Sequence, residues 1–260
     1  MILKIYQVDA FTNCRFKGNP AAVVPLEEWL PDEILQAIAL ENNLSETAFF
    51  VRKTEHFHIR WFTPNKEVDL CGHATIATAH VLWEEKGFDH DQIIFDSRSG
   101  LLGVTNENGF YNLDFPTDQI EKTELPPIIQ EAFGVDILAT YKGREDYLVL
   151  LSSQKTVESL QPDFSKLATL KTRGVIATAQ GDDVDFVSRC FFPYYGIDED
   201  PVTGSSHTTL APFWANRLGK NEMSAQQISS RGGSLKIVLQ GKRTSISGQA
   251  VTYMRGEIIV

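Results

Sequence analysis

Residues 3–11 alternate apolar and polar side chains, the two-residue period of a strand with one buried face. Similar strand signals fall at 21–24, 47–51 and 57–62. A helix is expected from Pro31 to about Asn42. Proline suits the first helical position, where its missing N–H costs nothing, and Ile34, Leu35 and Ile38 then form one apolar face. A second helix is expected from His73 to Lys86, with Gly87 as its stop. Ala74, Ile76, Ala77, Ala79, Val81, Leu82 and Trp83 cover most of its circumference, so it reads as a helix enclosed by a core. Later strands are expected at 147–151, 175–177 and 184–192, followed by a helix from Ser205 to Leu218.

This order is a repeat. Arg60-Trp-Phe-Thr-Pro64 matches Arg189-Cys-Phe-Phe-Pro193, and Gly72-His73 matches Gly204-Ser205 after a short insertion. The register continues through the helix to place Gly87 on Gly219 and Arg98 near Arg231. The shared order of strand, proline, glycine turn, buried helix, glycine, arginine and strand implies a duplicated αβ unit. Pro116, Pro126 and Pro127 mark the seam. The expected halves are 1–118 and 119–248, with 249–260 able to return to the first as a strand.

Composition narrows the function classes. The 260 residues carry a net charge of -10, which gives no electrostatic footprint for nucleic acid or an anionic membrane. No stretch has the length and apolarity of a membrane span, and the start lacks the apolar run of a signal peptide. Cys14, Cys71 and Cys190 match no zinc-ligand spacing, and an odd count in a chain this large suits a reducing cytoplasm. No metal is therefore expected.

Each copy opens its helix with a glycine turn, Leu70-Cys-Gly-His73 and Val202-Thr-Gly-Ser205. A helix start offers free N–H groups and partial positive charge, so a facing pair would attract a carboxylate. Each glycine could equally serve only a tight turn.

Asp69-Leu-Cys-Gly-His-Ala-Thr75 and Asp200-Pro-Val-Thr-Gly-Ser-Ser-His207 resemble the two signature motifs of the phenazine-biosynthesis F (PhzF-like) family. Gly18-Asn-Pro-Ala-Ala-Val23 and Asn43-Leu-Ser-Glu-Thr-Ala-Phe49 resemble further motifs of that family, in the same order. The resemblance spans nearly the whole chain. It implies an α+β class with a duplicated diaminopimelate-epimerase-like fold. Two β-barrel-like halves, each around a central helix, would be related by a pseudo-twofold axis with the active site between them. The family's type enzyme isomerises a dihydro-hydroxyanthranilate by moving a proton, without metal or organic cofactor. The resemblance assigns the base to Glu46 and supporting roles to His73, Asp200 and Ser205. It gives the amides of Gly72 and Gly204 a substrate carboxylate, and implies a homodimer.

The residues themselves leave alternatives. Strand alternation puts Leu44, Glu46, Ala48 and Phe50 on one face, where desolvation would raise a carboxyl pKa toward the value a proton carrier needs. A strand-end glutamate turned to solvent fits the same pattern. His73 at a helix start is expected to be neutral, because the dipole disfavours the imidazolium; it could relay a proton or simply bond to backbone. Asp200 could orient His73 or the substrate, or remain a solvated loop charge. Ser205 can cap its helix and bind a ligand together. Cys71 is either a thiol made reactive by the helix start or a small buried residue. Thr203, Arg231, Gly232 and His207 are further candidates to line the site.

Racemases of the same fold use two thiols, one in each turn. Here Thr203 stands opposite Cys71. A one-base isomerase acting on a small carboxylic acid is thus the leading expectation. An amino-acid epimerase and a non-catalytic acid-binding protein are the alternatives.

Overall fold

The computed structural model describes residues 1–260, and the chain divides into two compact units, 1–114 with 247–260 and 115–246. In chain order the elements up to the first crossing are β1 (Ile2–Ala10), β2 (Asn19–Leu26), α1 (Asp32–Asn42), β3 (Glu46–Arg52), β4 (Phe57–Phe62), β5 (Glu67–Val68), α2 (Gly72–His80), β6 (Gln92–Ser97), β7 (Gly100–Glu107) and β8 (Phe110–Pro116). The second stretch adds β9 (Glu121–Thr123), α3 (Pro127–Phe133), β10 (Ala139–Lys142), β11 (Asp146–Leu150), α4 (Gln154–Glu158), α5 (Phe164–Leu167), β12 (Gly174–Gln180), β13 (Phe186–Phe192), β14 (Ile197–Asp200), α6 (His207–Leu218), β15 (Glu222–Gln227), β16 (Gly233–Gln240) and β17 (Arg243–Gly248). The last strand is β18 (Ala250–Ile259).

In the first unit β1 pairs antiparallel with both β2 and β18. β2 is parallel to β3, β3 antiparallel to β4, β4 parallel to β6 and β6 antiparallel to β7. The second unit repeats the sequence of pairings. There β11 is parallel to β12, β12 antiparallel to β13, β13 parallel to β15 and β15 antiparallel to β16.

Helix α2 lies against β1, β2, β3 and β18, and every residue from His73 to His80 is buried. This is the enclosed helix its nearly continuous small and apolar surface predicts. Helix α1 covers the other face of β2 and β3. Its Leu35, Ile38 and Ala39 join Ala22, Val24, Phe49, Val51 and Phe62 in one cluster. Leu44 packs on that cluster too, away from the face that Glu46 shares with Ala48 and Phe50. The strand begins only at Glu46, after the left-handed Asn43 (φ 49°) has ended α1, so alternation does not extend back to Leu44.

The duplication reaches individual side chains. Arg60 makes a two-pronged ion pair with Glu67 at 2.7 Å through both Nε and Nη2. Arg189 does the same with Glu199 at 2.7 and 2.8 Å. Each guanidinium also lies over the ring two residues on, Phe62 at 5.1 Å and Phe191 at 5.2 Å. Thr75 donates to the Cys71 carbonyl at 2.6 Å, and His207, at the matching position, meets the Thr203 carbonyl at 2.9 Å.

Two boundaries differ from the sequence reading. The regular α-helix of α2 ends at His80 and continues as a π-helical turn, Val81–Glu85, before the left-handed Gly87. That wider turn carries Glu85 to Thr252 and Arg255 of β18. Helix α6 begins at His207, preceded by a tighter turn in which the His207 amide donates to the Gly204 carbonyl at 3.0 Å. No helix is long and apolar enough to cross a membrane.

Candidate active site

Glu46 is the first residue of β3 and pairs across with Ala21 of β2. His73 is the second residue of α2, directly beneath that strand start, and Cys71 immediately precedes the helix. The parallel β2–β3 pair and the enclosed helix thus converge on one point. His73 Nε2 lies 3.1 Å from Glu46 Oε2. Cys71 Sγ is 3.5 Å from His73 Nδ1 and 4.0 Å from Nε2. The ligand atoms of Glu46, Cys71 and His73 all fall within 4.8 Å of one another, a spacing that could hold a metal ion. The two side chains of the ion pair are nearly covered, His73 at 7% and Glu46 at 15% exposure.

The charge on His73 departs from the sequence expectation. Burial alone works against the imidazolium, but the charges of Cys71 and Glu46 and the hydrogen bonds to both outweigh it, and the ring titrates well above 6.5. The thiol is itself neutral at pH 7, since burial and the neighbouring Glu46 charge push it up to about 11. Glu46 is therefore the partner that counts at neutral pH. A carboxylate at 3.1 Å is stronger here than the helix dipole on which the neutral assignment rested. The same raised pKa makes Cys71 the small buried residue, not an activated thiolate.

Asn19 was legible only as part of the Gly-Asn-Pro motif. It is wholly buried, and its amide sits 3.3 Å from His73 Nδ1. By presenting oxygen or nitrogen it can match either charge state of the ring. Gly18 explains its own place in that motif. Its φ is +67°, and an added Cβ would fall 2.1 Å from the Ala10 carbonyl oxygen.

Gly72 opens α2 in the first unit, and the remaining candidates belong to the second. Asp200 ends β14, where its carboxylate accepts a hydrogen bond from the Thr203 hydroxyl and its carbonyl one from Gln227. Gln227 Oε1 accepts from the Thr203 amide at 2.8 Å, fixing the turn that leads to Gly204. Ser205 does not cap a helix. Its hydroxyl faces Arg173 Nη1 at 3.2 Å because the helix starts two residues later. Arg173 had no signal in the sequence reading. It is held by the buried Asp146 and also faces Glu145. Arg231 and Gly232 lie on the turn between β15 and β16, and Ser229 ties that turn to the Pro201 carbonyl at 2.7 Å. His207 is a correction. It is fully buried beside Phe186 and serves the core of its unit, with burial lowering its pKa to about 4.

The repeat supplies an internal control. Glu46 opens β3 beside Ala21, whereas Gly174 opens β12 beside Asp146. An added Cβ at Gly174 would fall 2.4 Å from the Phe192 ring. The second unit has room for no side chain where the first carries its carboxylate.

The family model for phenazine biosynthesis-like proteins matches residues 8–256. The chain belongs to the phenazine biosynthesis-like family. A relative in Pseudomonas aeruginosa, named an uncharacterized isomerase, is 50% identical over 258 residues, covering 99% of each chain. The crystal structure of a PhzF-family phenazine biosynthesis protein from Enterococcus faecalis superposes with a TM-score of 0.98 at 47% identity, covering 100% of both chains. A hydroxyproline epimerase from Agrobacterium vitis, with bound trans-4-hydroxy-L-proline, matches at a TM-score of 0.62 and 12% identity. That match covers 99% of this chain and 92% of the other. At such low identity it speaks for the fold alone. The fold of this family member is thus the α+β duplicated epimerase type.

Proposed function

We propose that the protein is an isomerase that shifts a proton within a small carboxylic acid, with Glu46 taking the proton from one carbon and returning it to another. The observation that carries this reading is the Glu46–His73 pair on a nearly covered strand start, present in one unit and replaced by Gly174 in the other. Oε2 is buried and faces His73, so Oε1 is the oxygen offered to a substrate. A protonated His73 holds the carboxylate in place for the proton transfer. Epimerisation by two thiols is disfavoured by Thr203, whose hydroxyl donates to Asp200, and by the raised pKa of Cys71.

Asp200, Ser205 and the Gly72 and Gly204 amides are the proposed substrate-binding groups, with Arg173 positioning Ser205. Thr203, Arg231 and Gly232 shape the same turn region. Family resemblance adds a homodimer acting without an organic cofactor, and the odd cysteine count suits a reducing cytoplasm. A panel of cyclic and unsaturated carboxylic acids, including a dihydro-hydroxyanthranilate, is the direct test. Glu46→Gln should lower kcat by about 10²–10⁴-fold, the usual weight of general acid–base catalysis, while Ser205→Ala acts mainly on KM. Undiminished kcat in Glu46→Gln contradicts the reading.

A further inference from the structure

We propose that Glu46, Cys71 and His73 form a binding site for a zinc-class divalent cation, and that the bound ion inhibits the enzyme by occupying its base. The inhibition rests on the proposed role of Glu46; the binding does not.

Four observations converge on the site. The donor set is one thiolate, one imidazole and one carboxylate, a mixture that suits zinc and its neighbours rather than magnesium or calcium. The spacing fits as well. Zinc bond lengths of about 2.0–2.3 Å give a tetrahedron with edges of roughly 3.3–3.6 Å. The His73 Nε2 to Glu46 Oε2 distance is 3.1 Å, and Cys71 Sγ to His73 Nε2 is 4.0 Å. The nitrogen–oxygen edge is close to this value, and the sulfur edge closes when Cys71 Sγ, now 3.5 Å from Nδ1, swings to the Nε2 side by side-chain rotation.

Charge also balances. A divalent ion against a thiolate, a carboxylate and a neutral imidazole leaves no net charge in a nearly covered place. On binding, the thiol proton and the imidazolium proton pass to solvent while the three metal–ligand bonds form. No electron is transferred. Finally, an outer support is at hand. With Nε2 on the metal, Nδ1 carries the proton, and the buried Asn19 amide, whose nitrogen is 3.3 Å away, accepts it once the amide turns its oxygen to the ring, the kind of outer contact that orients a ligating histidine. The fourth position remains for water or a substrate carboxylate.

The test is a cobalt(II) titration of the chelator-treated full chain under anaerobic conditions. One ion per chain should bind and give a near-ultraviolet thiolate-to-cobalt charge-transfer band with the visible bands of tetrahedral cobalt. Cys71→Ser should lose the charge-transfer band, and Asn19→Ala should weaken binding by about 10–100-fold. Cys14→Ser, which changes an exposed thiol, should retain the band. Circular dichroism on each variant shows that the fold is intact. No band in the wild type, or a band that persists in Cys71→Ser, overturns the site. Zinc titrated in a chelator buffer should abolish turnover, with chelator restoring it. Zinc binding with undiminished turnover supports the site and overturns the assignment of Glu46 as base.

Discussion

Acidification from pH 7 to pH 5 should destabilise the protein through two buried histidines. His80 is enclosed in the first unit. Its Nδ1 meets the Tyr111 hydroxyl at 2.8 Å and its Nε2 the Thr252 hydroxyl at 2.9 Å. Thr252 donates onward to Glu85 at 2.8 Å, so it accepts from His80 Nε2–H, and Tyr111 donates to Nδ1. That arrangement requires the neutral ring, and burial lowers its pKa to about 4. His207 is likewise lowered to about 4 by burial. The unfolded value is 6.5 for both, so the native state binds fewer protons than the unfolded one. Their contribution is whole above pH 6.5 and is lost as pH falls toward 4. At pH 5 each ring has given up about 2 kcal/mol, and the two together about 4 kcal/mol, a large share of a typical folding free energy. His73 has the opposite shift, so its contribution grows as pH falls from 7.5 to 6.5 and is nearly complete below that, leaving the loss between pH 6.5 and 5.0 to the two lowered rings. Urea denaturation followed by tryptophan fluorescence at pH 7.5, 6.5 and 5.0 measures the slope. His80→Gln, which keeps a donor toward Thr252, should lower stability at pH 7.5 yet roughly halve the loss between pH 6.5 and 5.0. An unchanged slope in that variant would refute the reasoning.

Other consequences follow from the paired features. Arg60→Met should destabilise by about 1–3 kcal/mol through the lost two-pronged contact, Glu67 keeping Arg98 at 2.7 Å, as measured by urea unfolding. Arg189→Met should cost at least as much, because Arg189 Nη1 also donates to the carbonyls of Val157 and Leu160. Gly18→Ala should cost about 1–3 kcal/mol in strain and displace Asn19 from His73, visible as a lower melting temperature. A thiol reagent at pH 8 should label Cys14 rapidly and reach Cys71 and Cys190 only on unfolding, since burial raises both of their pKa values.

Much of the architecture was legible because it rests on local patterns. The apolar run from Ala74 to Leu82 announces an enclosed helix wherever that helix sits. Arg60 and Arg189 announce a repeat by their register alone. Their partners Glu67 and Glu199 were not legible, because those contacts form when β4 turns back to β5 and β13 to β14. The charge of His73 was misread for the same reason. A helix-start dipole can be inferred from sequence, but the Glu46 carboxylate reaches the ring only when β3 lies over α2. Ser205 and His207 were displaced by one turn geometry. Starting α6 at His207 turns Ser205 toward Arg173 and draws His207 into contact with Phe186. Asn19 shows the converse limit. Its motif was visible, but its role depends on β2 passing beside the helix start.

The central claim is that Glu46 carries a proton between two carbons of one substrate. Turnover of an accepted acid in deuterium oxide, followed by NMR, tests it most directly. Wild-type protein should place deuterium, or retain the original hydrogen, at the receiving carbon only, with Glu46→Gln losing both isomerisation and exchange. Isomerisation with the same label pattern in Glu46→Gln, at a rate near that of the wild type, would contradict the account.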